Sequence, residues 1–185
     1  MKSVDSTFRK EKGRYLIEVR LRDLDQFFNS LDPSPFHDKD IDDDAERYIV
    51  NSVGAFPLKT QLKLVFYLPH EHHTEAATVL SEAIDNYFDF RVTMARRELG
   101  ATLNEGRVAM VLGLAFLVTC ITVRTALGAL ADRPFGNTVL EGLSIVGWVA
   151  MWRPIQILLY DWWAIYRRRR IFEKIRDMPI EISLA

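Results

Sequence analysis

VAMVLGLAFLVTCITVRTAL, residues 108–127, is the stretch on which the rest of the chain turns. It holds one charge, Arg124, near its end. At 1.5 Å per residue, about 20 helical residues cross a hydrocarbon layer of ~30 Å. A helix that is apolar on every side is either a membrane span or the core of a large soluble domain. The length of this run favours the span. GALADRPFGN (128–137) comes next, a turn broken by Pro134 and Gly136. A second apolar segment then runs from Thr138 to about Tyr160. Two apolar helices joined by so short a turn are predicted to form a transmembrane hairpin over residues 107–160.

Charge placement orients that hairpin. Residues 1–106 hold 14 Lys and Arg against 19 Asp and Glu, whereas residues 107–185 hold 10 against 6. Arg91, Arg96, Arg97 and Arg107 precede the first span, and Arg167, Arg168, Arg169, Arg170, Lys174 and Arg176 come after the second. The connecting turn has only Arg133, with Arg124 at its edge. Positive residues stay inside, so both termini are expected in the cytoplasm of a bacterium and the turn outside its inner membrane. The opening MKSVDSTFRKEKGR has no apolar core and does not read as a secretory signal. Cys120 is the single cysteine, so no disulfide can form within one chain.

The second span contains a break in its own pattern, GWVAMWRPIQILLYDWW (147–163). A charge and a helix breaker stand together at Arg153 and Pro154. The arginine stem can snorkel toward headgroups, among Trp152, Tyr160, Trp162 and Trp163 as an interfacial aromatic belt. Pro154 cannot donate to the carbonyl of Ala150, so a bend is predicted there. Beyond it, residues 161–185 are predicted to form a basic amphipathic tail. Ile171, Phe172, Ile175 and Met178 would lie on lipid, and Arg167, Arg168, Arg169 and Arg170 would meet anionic headgroups.

The front of the chain predicts an α+β module. RYLIEVRL (14–21) and QLKLVFYLP (61–69) alternate as strands. LRDLDQFFNSL (21–31) reads as a short helix. DDAERYIVNSV reads as another, capped at Asp43 with Glu46 three residues on. Thr74 is expected to cap a long helix with the stripe Leu80, Ala83, Ile84, Tyr87 and Phe88. The resulting plan is a cytoplasmic β-α-β-α module (1–73), a connecting helix (74–106), the hairpin (107–160) and the tail (161–185). Two strands alone make a marginal sheet, so self-association or a covering partner is expected.

FNSLDPSPF (28–36), DDDAERYIV (42–50) and EGLSIVGWVAMWRPIQILLYDWW (141–163) together resemble a group of small bacterial inner-membrane proteins. The resemblance implies membrane placement. It brings no activity, cofactor or catalytic residue.

Candidate sites are few. HEHH (70–73) offers His70, His72 and His73 as metal ligands, but the i, i+4 spacing of zinc-protease helices is absent. DKDIDDDAE (38–46) begins like a calcium loop, yet position six is Asp43 instead of Gly and position twelve is Ile49 instead of Glu. Ser34 has no base at an interpretable spacing. Glu141 and Arg124 form a candidate intramembrane pair across the two helices. Ala109, Gly113, Gly142 and Gly147 are the small residues that would permit close helix packing. No cofactor is expected. The expected partners are the bilayer and either further copies or another membrane protein, with no nucleic acid. The function expected is non-enzymatic, the assembly or accessory subunit of a membrane complex. The rivals are an oligomeric channel or transporter lined by Thr119, Thr122, Arg124, Glu141 and Ser144, and a metal-dependent enzyme.

Overall fold

The computed structural model describes residues 8–34, 39–69, 73–128 and 135–184. The chain divides into two units, Met1–Ala95 together with Arg167–Ala185, and Arg96–Tyr166.

The first unit is mixed α+β. Its sheet has the order β1-β2-β3-β4, from β1 (Lys10–Glu11), β2 (Arg14–Arg20), β3 (Leu62–Leu68) and β4 (Ile180–Leu184). Strands β1 and β2 are antiparallel, while β2–β3 and β3–β4 are parallel. The β1–β2 turn is Lys12-Gly13, both at positive φ (48° and 83°). Two left-handed residues match the twist of a two-residue hairpin, and Gly13 adopts that conformation without a Cβ clash. Four strands replace the two predicted from the sequence. The one added at the far edge comes from the C-terminal residues whose composition predicts a membrane-bound tail.

Helix α1 (Asp43–Gly54) begins at the residue expected to cap it, so its cap falls one residue earlier. Asp42, not Asp43, accepts from the backbone N–H groups of Asp44 and Ala45. Glu46 therefore does not close a capping box, and its carboxylate bonds elsewhere. The helix predicted over 21–31 shrinks to a 3₁₀ turn, Leu24–Phe27. Asn29 Oδ1 and Asp32 Oδ1 take the backbone N–H groups of Leu31 and Ser34, which competes with continued helix. Phe28 instead bridges to Ile41.

The core lies on one sheet face. Ile17, Leu64 and Phe66 meet Ile49 and Val53 of α1, with Leu80, Ile84 and Phe88 of α2 (His73–Ala126). Each such burial contributes roughly 1.5–3 kcal/mol. Phe172 and Ile175 of α5 (Trp162–Arg176) and Met178 complete the same core. This corrects the expectation that those three residues rest on lipid. Their apolar face is already covered by the module. A periodic stripe shows that a helix has a buried side, but not whether lipid or protein buries it.

The second unit is helical. It contains the remainder of α2, then α3 (Gly136–Val149), α4 (Trp152–Gln156) and a π turn (Ile157–Asp161) that leads into α5. Thr78–Ala126 and Gly136–Arg176 are each long and apolar enough to cross a membrane, and only 22% of the most apolar window of each is buried. The second unit is thus inserted in the crossover between β3 and β4, two strands that are neighbours in the sheet.

Candidate functional site

Small residues hold the two long helices of the second unit together. On α2, Gly106, Gly113, Leu117 and Cys120 are buried. A Cβ on Gly113 would lie 3.1 Å from the Ala150 carbonyl oxygen and 3.2 Å from Met151 Sδ. One on Gly147 would lie 3.0 Å from Leu117 Cδ1 and 3.1 Å from Cys120 Cβ. At Gly106 the same atom would come within 2.8 Å of Ile157 Cγ2. Glycine here permits close helix approach.

Pro154 sets the geometry at the middle of this seam. It has no N–H for the Ala150 carbonyl. The chain turns at Ala150 and Met151, and α4 starts afresh at Trp152. The freed carbonyl is the group that lies against Gly113. The bend predicted from Arg153-Pro154 thus falls just before the pair.

Arg153 is ion-paired on two sides. Its Nη2 lies 3.2 Å from Glu105 Oε1 on α2, and its Nη1 lies 3.3 Å from Asp161 Oδ2 in the π turn. One planar guanidinium serves two carboxylates through separate nitrogens, which a lysine ammonium cannot reproduce with the same fork. The aromatic residues come directly after. The Trp162 indole donates to Leu158 O at 2.9 Å, and the rings of Trp163 and Tyr166 stack with centroids 5.9 Å apart. Trp152 and Tyr160 are exposed, at 76% and 70%.

The other sequence candidates separate. Glu141 accepts from Asn137 Nδ2 at 3.0 Å, and among the described residues it is not paired with Arg124. The hydroxyls of Thr119, Thr122 and Ser144 donate to carbonyls four residues back, those of Ala115, Val118 and Leu140. A hydroxyl satisfied by its own helix needs no polar surroundings. Asp32 accepts from the Ser34 and Asp40 N–H groups, which holds its carboxyl below the usual range. Asp42 caps α1. Within the acidic stretch Asp42 is thus taken by backbone donors, Asp44 by Arg47, and Glu46 by Tyr87 and Arg91, and Asp38 lies outside the described residues. His70, His72 and the side chain of His73 also lie outside them, as does the Thr74 side chain. Among the described residues no group of three His, Cys, Asp or Glu side chains could hold a metal ion. Within the run expected at headgroups, Arg167 Nη2 reaches Gly54 O at 3.5 Å. Arg169 and Arg170 both pair with Glu173, at 3.3 and 2.8 Å.

Against protein-family models, curated proteins and solved structures alike, nothing matches the chain.

Gly106, Cys120, Glu105 and Asp161 are the seam residues that sequence reasoning missed. A signal was present for two of them. Gly106, Gly113 and Cys120 recur every seven residues, the repeat of a continuous helix–helix seam. Glu105 had no such signal, because its partner lies 48 residues away in sequence.

Proposed function

We propose that this chain is a non-enzymatic bacterial inner-membrane protein in which a two-helix hairpin anchors an α+β module, and that it works by assembly, as a homo-oligomer or as the accessory subunit of a membrane complex. The observation that carries this reading is the outside of the hairpin. Val111, Leu112, Leu114, Val118, Val139 and Ile145 are all exposed, whereas glycine and cysteine occupy the contact between helices. Water does not tolerate such a continuous apolar surface, and lipid does. The Arg153 cluster fits the inner end of the spans, because Gly136 to Arg153 measures about 26 Å as helix and Glu105 just precedes the first apolar run. The back-bonded threonines favour an anchor over a pore.

Assembly draws support from the sheet. Strand β4 ends the strand order, and its outer backbone groups form a ready template for a partner strand. The case for self-association through a two-stranded sheet falls away, since the chain supplies four strands itself.

Topology and assembly are tested together. A reporter fused after Ala185 is expected to read cytoplasmic, and one inserted at Phe135 to read periplasmic. The protein purified in mild detergent is expected to run as an oligomer or with a stoichiometric partner that recovers it in reciprocal pull-down. A monomer with no such partner, or ion flux through liposomes carrying the protein, would sink the assembly reading.

A further inference from the structure

An open cleft of about 600 Å³ lies in the first unit. Arg14, Arg170, Lys174 and Arg176 bring positive charge to it, while Leu58 and Met178 supply apolar wall. Two of these cations are neutralised locally. Arg170 Nη1 lies 2.8 Å from Glu173 Oε2, and Arg176 bonds Asp89 and Asp177 at 2.7 and 2.9 Å. The other two are not. Arg14, at the start of β2, makes no ion pair among the described residues, and it also lines the two neighbouring grooves. Lys174 donates to the neutral carbonyl of Pro57 at 3.2 Å and has no carboxylate partner among the described residues. An ammonium has three donors, so two remain.

The geometry points to a phosphate-binding site in this cleft, with Arg14 and Lys174 as its anion-binding residues and the Leu58–Met178 wall against the organic part of the ligand. A guanidinium offers two parallel donors to phosphate oxygens, and an ammonium beside it adds a point charge. Together they supply two positive charges that no carboxylate ion-pairs among the described residues, which suits an anionic phosphate. Desolvation pushes the Lys174 pKa down, and a bound anion would favour its charged form. Glu173 and Asp177 do not cancel the site, because Arg169, Arg170 and Arg176 already occupy them. Two sources share this chemistry: a soluble phosphate ester and the headgroup of an anionic lipid.

The experiment uses the full chain in dodecyl maltoside and does not depend on its topology. In one arm sodium pyrophosphate is titrated against sodium chloride at matched ionic strength, with thermal unfolding as the readout. In the other arm the micelles carry increasing phosphatidylglycerol or phosphatidylcholine. A saturable rise in Tm is expected in one arm or both. Saturation with pyrophosphate alone assigns a soluble phosphate, and saturation with phosphatidylglycerol alone assigns the headgroup. Arg14→Gln, at an exposed position, should weaken apparent affinity about tenfold, and Lys174→Gln by a similar factor. Arg47→Gln, on α1 and outside the cleft, should leave it unchanged. No saturable response in either arm would overturn the site, as would an Arg14→Gln protein that binds like the parent.

Discussion

At Arg153 one guanidinium serves Glu105 and Asp161, so its replacement strands two negative charges. Arg153→Leu is expected to lower the stability of the purified protein by about 1 kcal/mol, since all three groups keep some solvent access and exposed pairs are screened. Arg153→Lys should recover only part of that, because one ammonium cannot reproduce the fork. A double-mutant cycle with Glu105→Gln isolates the pair, and zero coupling would show that the contact contributes nothing. The glycines make a sharper contrast. Nothing lies within 4 Å of a Cβ built on Gly100, whereas one on Gly106 would overlap Ile157 and Leu158 at 2.8 and 2.9 Å. Gly100→Ala should stabilise α2 by roughly 0.5–1 kcal/mol through backbone entropy. Gly106→Leu should destabilise by about 1–3 kcal/mol through overpacking. Thermal unfolding in detergent reads both, and equal shifts would refute the seam. The heptad spacing of Gly106, Gly113 and Cys120 is visible in the sequence, but the partner atoms that make each methyl costly are not.

Helices α1 and α2 are joined by a polar clamp that neither element shows alone. The Tyr87 hydroxyl donates to Glu46 Oε2 at 2.8 Å, Arg91 Nη2 lies 2.6 Å from Glu46 Oε1, and the Arg91 guanidinium sits 5.2 Å from the centre of the Phe172 ring. Burial first, and then the bond to Glu46, push the Tyr87 phenol above its usual 10.0. The unfolded chain would release that proton near pH 10 while the folded one keeps it. The stabilisation is therefore complete below pH 10 and is lost as pH rises beyond it. Between about pH 8 and about pH 10.5 the denaturation midpoint of the parent should fall more than that of Tyr87→Phe. Equal falls would mean that Tyr87 is not the group responsible. By spacing alone Glu46 reads as half of a capping box, a purely local role. Its actual partners lie 41 and 45 residues later, which no local spacing encodes.

The whole molecule closes one sheet across an inserted helical hairpin. Residues 1–95 lack Phe172, Ile175 and Met178, and they leave the β4 side of β3 unpaired. A fragment 1–100 is therefore expected to unfold or aggregate, as loss of three buried apolar side chains costs several kcal/mol against a typical total of about 5–15. Joining residues 1–95 to 167–185 through a short Gly-Ser linker should instead give a folded soluble module with a cooperative transition. If fragment 1–100 folds as stably as that fusion, α5 and β4 are dispensable and the sheet does not depend on their closure. Local periodicity is the part of this architecture that the sequence determined by itself. The alternation of 14–21 and 61–69 determined β2 and β3, the Leu80–Phe88 stripe determined the buried side of α2, and the two long apolar runs determined two segments able to span a membrane. The tertiary structure alone decided what covers each face. A stripe such as Phe172, Ile175 and Met178 has the same spacing whether lipid or a protein core receives it. Strand β4 could be recognised only beside β3, because parallel pairing joins distant segments through backbone groups that every residue carries.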